Sequence, residues 1–131
     1  MIITVDLSNP KPTYLQIVEA IRRAVATGAL KPGDQLPTIR DVAIQARVNR
    51  NTVSRAYLEL EHQGLVRSRQ GSGSYISDDG PSLAREERVR VLKRMSDELA
   101  LEAYHYRIPI NEVAKMLEES AAELGKEAED E

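Results

Sequence analysis

Asn49, Arg50, Asn51, Ser54 and Arg55 bring amide, guanidinium and hydroxyl groups into one short stretch of the chain. Each of these groups can hydrogen-bond a base edge or a phosphate. Interleaved with them, Val53, Ala56, Tyr57 and Leu60 fall at i, i+3, i+4 and i+7, the spacing of one helix face. A helix with an apolar back and a polar front whose first turn can enter the major groove is what base reading requires. Glu59 and Glu61 come later and would repel phosphate, so the far end of this helix is expected to point away from a duplex. The same front would also suit an ordinary solvated face.

Other residues fit the same partner. Arg67 and Arg69 stand two apart, hence on one face of a strand. Gly71 and Gly73 flank Ser72, and a tip without side chains at those two positions can approach a groove closely. A plain surface hairpin is the other reading of this segment. Arg40, in the first turn of a predicted helix, suits either a phosphate contact or simple surface charge. A protein-interaction module that kept this shape without binding DNA would not need arginines at 40, 50, 55, 67 and 69 together.

Enzyme chemistry finds little to work with, and neither catalytic residues nor a cofactor is expected. No cysteine is present, which excludes disulfides and thiolate metal sites and suits a reducing cytoplasm. The two histidines, His62 and His105, are far apart and read as surface or packing residues, so no metal site is predicted. Asp78-Asp79-Gly80 lacks the remaining ligands of a calcium loop. Gly71-Ser72-Gly73 lacks the Lys-Ser/Thr of a phosphate-binding loop.

The elements that must position these groups can be read from periodicity. A first helix follows Pro12, with Tyr14, Ile17, Ile21 and Ala24-Val25 on one side and Gly28 as its stop. Lys31-Pro32-Gly33-Asp34 reads as a turn. Thr38 is a good N-cap for a second helix, with Asp41 in capping-box position and Ile39, Val42, Ala43 and Ala46 as its stripe. Arg47-Val48-Asn49 makes a short turn into the third helix, from about Arg50 to Gln63. Gly64 ends it, and strands at about Val66–Arg69 and Ser74–Ile76 flank a flexible tip. This order predicts a mainly α fold with a small β-hairpin, a winged helix-turn-helix over residues 1–77. Its core is expected to hold Ile17, Ile21, Val42, Val53 and Leu60.

Beyond a linker at 78–82, residues 83–131 read as a two-helix tail. Leu92, Met95, Leu99 and then Ala103 or Tyr106 repeat at helical spacing, as do Val113, Leu117, Ala121 and Leu124. Pro109 suits the start of the second of these helices. Two helices cannot bury enough apolar surface to stand alone. They are expected to dimerise with a second copy, through Leu92, Met95, Leu99, Tyr106, Val113, Leu117 and Leu124; the alternative is folding back onto the first domain. Charge divides in the same way. Residues 1–80 carry a net charge of +2 and residues 81–131 a net charge of −5, which together give the overall −3. The basic surplus thus lies with the DNA signals. The first thirty residues hold no signal-peptide core, and no apolar run is long enough to span a membrane.

From Pro12 to Ile76 the chain closely resembles the DNA-binding domain of the GntR family. The matching segments are Gly28 to Thr38, Arg40, Asn51-Thr52-Val53, Ala56 to Glu61, Gly64-Leu65-Val66 and Gln70 to Ile76. The resemblance implies that Arg40, Arg50 and the Gly71-Ser72-Gly73 tip touch double-stranded DNA, with Asn49, Asn51 and Thr52 at the helix start. The short two-helix tail is similar to that of the YtrA-like branch. What this implies is a dimeric bacterial transcription regulator, usually a repressor, often of an operon encoding an ABC transporter. Two positions depart from the family. Arg47 stands where many relatives have Gly in the turn, and a phosphate contact would compensate for it. Ser54 stands where several place arginine, so base preference should not be copied from them.

Overall fold

Pro12 has no N–H to donate, and its carbonyl accepts from the amides of Leu15 and Gln16 at 3.1 and 3.2 Å, so a helix begins directly after it. In the computed structural model, which describes residues 3–78 and 85–129, this helix α1 spans Thr13–Thr27. Helix α2 spans Ile39–Ala46 and α3 spans Arg50–His62. Strands β1 (Val66–Arg69) and β2 (Gly73–Ile76) form an antiparallel hairpin. Helices α4 (Arg85–His105) and α5 (Ile110–Glu129) follow. The described residues divide into two compact units, 3–78 and 85–129. The linker expected at 78–82 falls, beyond Asp78, outside the described residues.

The first unit is a winged helix-turn-helix. The expected stripes converge in one core: Ile17 and Ile21 of α1, Val42 of α2, and Val53 and Leu60 of α3 are fully buried, and Val66 and Ile76 close it from the hairpin. Ile3 is also fully buried there, and its N–H lies 3.4 Å from Gln45 Oε1. No periodicity predicts this, because the segment before Pro12 is too short to show one. At the start of α2, Thr38 Oγ1 accepts from the Asp41 amide at 3.1 Å, which is the expected cap.

The hairpin differs from expectation in one rung. Arg69 pairs with Gly73, so β2 begins one residue early and the tip is Gln70-Gly71-Ser72. The sheet also gains a third edge. Ile76 N–H donates to the Asp34 carbonyl and Leu36 N–H to the Ser74 carbonyl, each at 2.8 Å, and Gln35 bridges Tyr75. The predicted turn at residues 31–34 thus leads into a segment that runs beside the wing.

Four helices are followed within two residues by a left-handed one. Gly28 and Gly64 adopt this conformation at φ 85° and 75°, as glycine readily can. Arg47 and Arg107 do so at φ 57° and 56°. After Arg47, Val48 N–H returns to the Ala43 carbonyl at 3.1 Å, and after Arg107, Ile108 N–H returns to the Ala103 carbonyl at 2.9 Å. These bonds satisfy helix-end carbonyls and hold the arginines in place. A side chain in this conformation costs about 1–2 kcal/mol, against about 0.4–1 kcal/mol for glycine's larger unfolded-state freedom. Arg47→Gly and Arg107→Gly are each expected to raise stability by up to about 1 kcal/mol, read as a higher urea midpoint. A lower midpoint for Arg47→Gly would mean that its side chain, not its backbone, sets the turn.

In the second unit, Ala103 is the one described residue below the surface. Of the two ways to continue the α4 stripe, Ala103 turns inward, while Tyr106 lies just past the helix and is 74% exposed. Leu92, Met95, Leu99 and Leu117 are 64%, 50%, 40% and 58% exposed, and Val113 and Leu124 are half-buried. An apolar groove of about 200 Å³ runs between the helices, lined by Leu99, Ala103, Tyr106, Val113 and Met116. No described helix is long and apolar enough to cross a membrane.

Candidate nucleic-acid interface

Helix α3 turns Val53, Ala56, Tyr57 and Leu60 into the core, which leaves Arg50, Asn51, Ser54 and Arg55 exposed and Thr52 half-buried. Asn49 stands immediately before it. Its Oδ1 accepts from the Asn51 amide at 2.7 Å, so this oxygen caps the helix and the side-chain NH2 is the part that can face a ligand. The first turn of α3 carries no acid, and its N-terminal amides favour an anion. At the other end, Glu59 accepts from Gln63 at 3.1 Å and Glu61 is exposed. The charge gradient read from the sequence is therefore present along the helix.

Tyr57 fixes α3 against the approach to α2. Its hydroxyl donates to the Pro37 carbonyl at 2.5 Å. Burial, reinforced by the charge of Asp41, pushes its phenol far above the ordinary range, so it remains a donor. Arg40, in the first turn of α2, and Arg47, in the turn, are both exposed.

Arg55 reveals a contact that periodicity hides. Its guanidinium carbon lies 3.9 Å from the centroid of the Tyr14 ring, a cation–π pair between α3 and α1. In sequence, Tyr14 reads only as part of an apolar stripe. A tyrosine at the first turn of α1, 41 positions before an arginine, gives no local signal.

On the wing, the register sets Arg67 opposite Tyr75, and the Arg69 guanidinium carbon lies 4.5 Å from the Tyr75 ring centroid. The two arginines thus share the Tyr75 face, as their spacing predicts. Asp78 Oδ2 lies 4.0 Å from Arg69 Nη2, and both side chains are largely exposed. Such a pair contributes little in water, so a phosphate can displace it. Ser72 is exposed at the tip between Gly71 at φ 81° and Gly73 at φ 108°. These two glycines are required by the turn itself, whatever else they permit. Among the described residues, no three His, Cys, Asp or Glu side chains cluster as metal ligands would.

Residues 13–76 match the model of the bacterial regulatory proteins, gntR family. The HTH-type transcriptional repressor YtrA of Bacillus subtilis (strain 168) is 30% identical over 122 residues, covering 93% of this chain and 94% of the repressor. This chain belongs to the GntR family. It is a DNA-binding transcription regulator. Among solved structures, a transcriptional antiterminator from Listeria monocytogenes EGD-e superposes with a TM-score of 0.85 at 29% identity, covering 95% of this chain and 92% of its own. AraR(DBD) in complex with operator ORX1 superposes with a TM-score of 0.54 at 29% identity, covering 59% of this chain and 99% of its own. The GntR match takes in α1, the helix-turn-helix and the wing, the elements that carry the arginines described above.

Proposed function

We propose that this GntR-family regulator is a cytoplasmic repressor that binds a twofold operator as a homodimer. The observation that carries the reading is α3, which buries a full apolar stripe and presents Asn49, Arg50, Asn51 and Ser54 at its N-terminal end. In this reading those four contact base edges and Thr52 supports the first turn. Arg40, Arg47, Arg55, Arg67 and Arg69 pair with phosphates, and Gly71-Ser72-Gly73 enters the adjacent groove. The similarity to the YtrA repressor along nearly the whole chain supports the regulatory sign. The exposed apolar residues of α4 and α5 support dimerisation through the tail, because a twofold site needs a twofold protein.

A gel-shift with the promoter of its own operon tests this. The protein should bind that fragment roughly 10³-fold or more tighter than a shuffled duplex of equal length. Deleting the gene should raise transcription from the same promoter. Equal affinity for both duplexes would remove the operator reading, and lower transcription on deletion would remove the repressor.

A further inference from the structure

The backbone carbonyl of Ser72 sits at the tip of the wing, beyond the last rung of the hairpin. Ser72 N–H is already committed to the Arg69 carbonyl at 3.0 Å. Two side chains converge on the Ser72 oxygen from different elements. Gln35 Nε2 donates to it at 2.8 Å across 37 positions of sequence, and the Tyr75 hydroxyl donates at 3.2 Å. Gln35 also bridges Tyr75 through its backbone, so it spans the wing from the ladder to the tip. Tyr75 in turn carries the Arg69 guanidinium on its ring. The space behind this junction is a cavity of about 280 Å³ between the wing and the start of α2, lined in part by Gln35, Thr38, Tyr57 and Ser72.

The packing at Gly73 belongs to the same device. A Cβ there would lie 3.1 Å from Gln35 Nε2, so the amide reaches Ser72 over a residue that has no side chain. A two-stranded hairpin is marginal in water by itself, and its tip has most freedom to lose. A tie to the helix-turn-helix removes that freedom before any ligand arrives, which is how preorganisation raises affinity.

We infer that Gln35 is a positioning residue for DNA binding: it fixes the wing tip relative to α2 and α3 without itself touching DNA. The inference rests on the reading that the wing enters a groove. Gln35→Met keeps the length of the side chain and removes the donor. With the full-length protein and the promoter fragment of its own operon, the variant should bind roughly 3- to 10-fold more weakly, the worth of one hydrogen bond. The slope of affinity against salt should stay at the wild-type value, since no charge is lost. In the protein without DNA, 15N relaxation should show the Ser72 amide losing order, and the Ser72 carbonyl carbon should shift as one of its two donors departs. The thermal midpoint should hold, because the bond is exposed. Unchanged affinity overturns the inference. So does weaker binding with Ser72 as ordered as before, since Gln35 would then act by direct contact. Wild type and Gly71→Leu titrated beside it separate the two failures: if a bulky side chain at the tip leaves affinity at the wild-type value, the wing does not enter a groove, and the inference falls with that reading.

Discussion

If the tail joins two copies as proposed, Leu99→Asp should separate them while leaving the winged helix folded. Leu99 lines the groove between α4 and α5 and is 40% exposed, with Met95 and Leu92 one and two turns before it. Covering a leucine contributes roughly 1.5–3 kcal/mol, and a twofold contact counts the change twice. The aspartate also places two charges where apolar surface should meet, and an unpaired buried charge is strongly destabilising. The cluster containing Ile17, Ile21, Val42, Val53 and Leu60 is built entirely within residues 3–76, so the thermal transition of that unit should persist. Sedimentation velocity should show half the wild-type mass. Affinity for the twofold operator should fall by at least about a hundredfold, because one chain then reads one half-site. A variant that remains dimeric with unchanged operator affinity removes the tail from the interface.

Why some of this was legible in the sequence, and some not, depends on sequence range. Helices α1 to α3 announce themselves because burial of one face forces apolar residues to recur every three or four positions. The cap at Thr38 and the stops at Gly28 and Gly64 are equally local, and the structure places them where the residue types require. Arg47 is a sharper case. Its left-handed backbone follows from the shape of the turn, while its residue type argues against that conformation.

What remained hidden is long-range. Ile3 reaches the core although its segment has no period to read. Gln35 reads as loop because its partners, Tyr75 and the Ser72 carbonyl, lie about forty positions away. The early start of β2 follows from the same cause: Gly73 is a poor strand residue locally, but the register of Arg69 recruits it. Among the candidate contacts, the α3 front was legible as a pattern of exposure. The Tyr14–Arg55 pair was not, since a ring beneath a guanidinium has no spacing rule across two helices.

Binding to DNA should weaken steeply with salt, and the steepness should count the arginines. If Arg40, Arg47, Arg55, Arg67 and Arg69 of each chain neutralise one phosphate apiece, a dimer releases about ten counterions, and log affinity should fall with log salt at a slope near −9. Between about 50 and 200 mM salt that is a loss of roughly 10⁵-fold. Arg67→Ala removes one contact per chain and should flatten the slope by about two units in the dimer. Arg50→Ala differs, because the proposed contacts put that side chain on a base: affinity for the operator should fall more than affinity for a shuffled duplex. Arg69 supplies an internal comparison. Its 4.0 Å pairing with Asp78 must yield before it can meet a phosphate, so Asp78→Asn should tighten binding slightly at every salt concentration. Titrations at four or more salt concentrations, with wild type and each variant on the same duplex, measure all of these slopes. A wild-type slope near zero would leave the exposed arginines without a phosphate partner and would require binding through the α3 front alone.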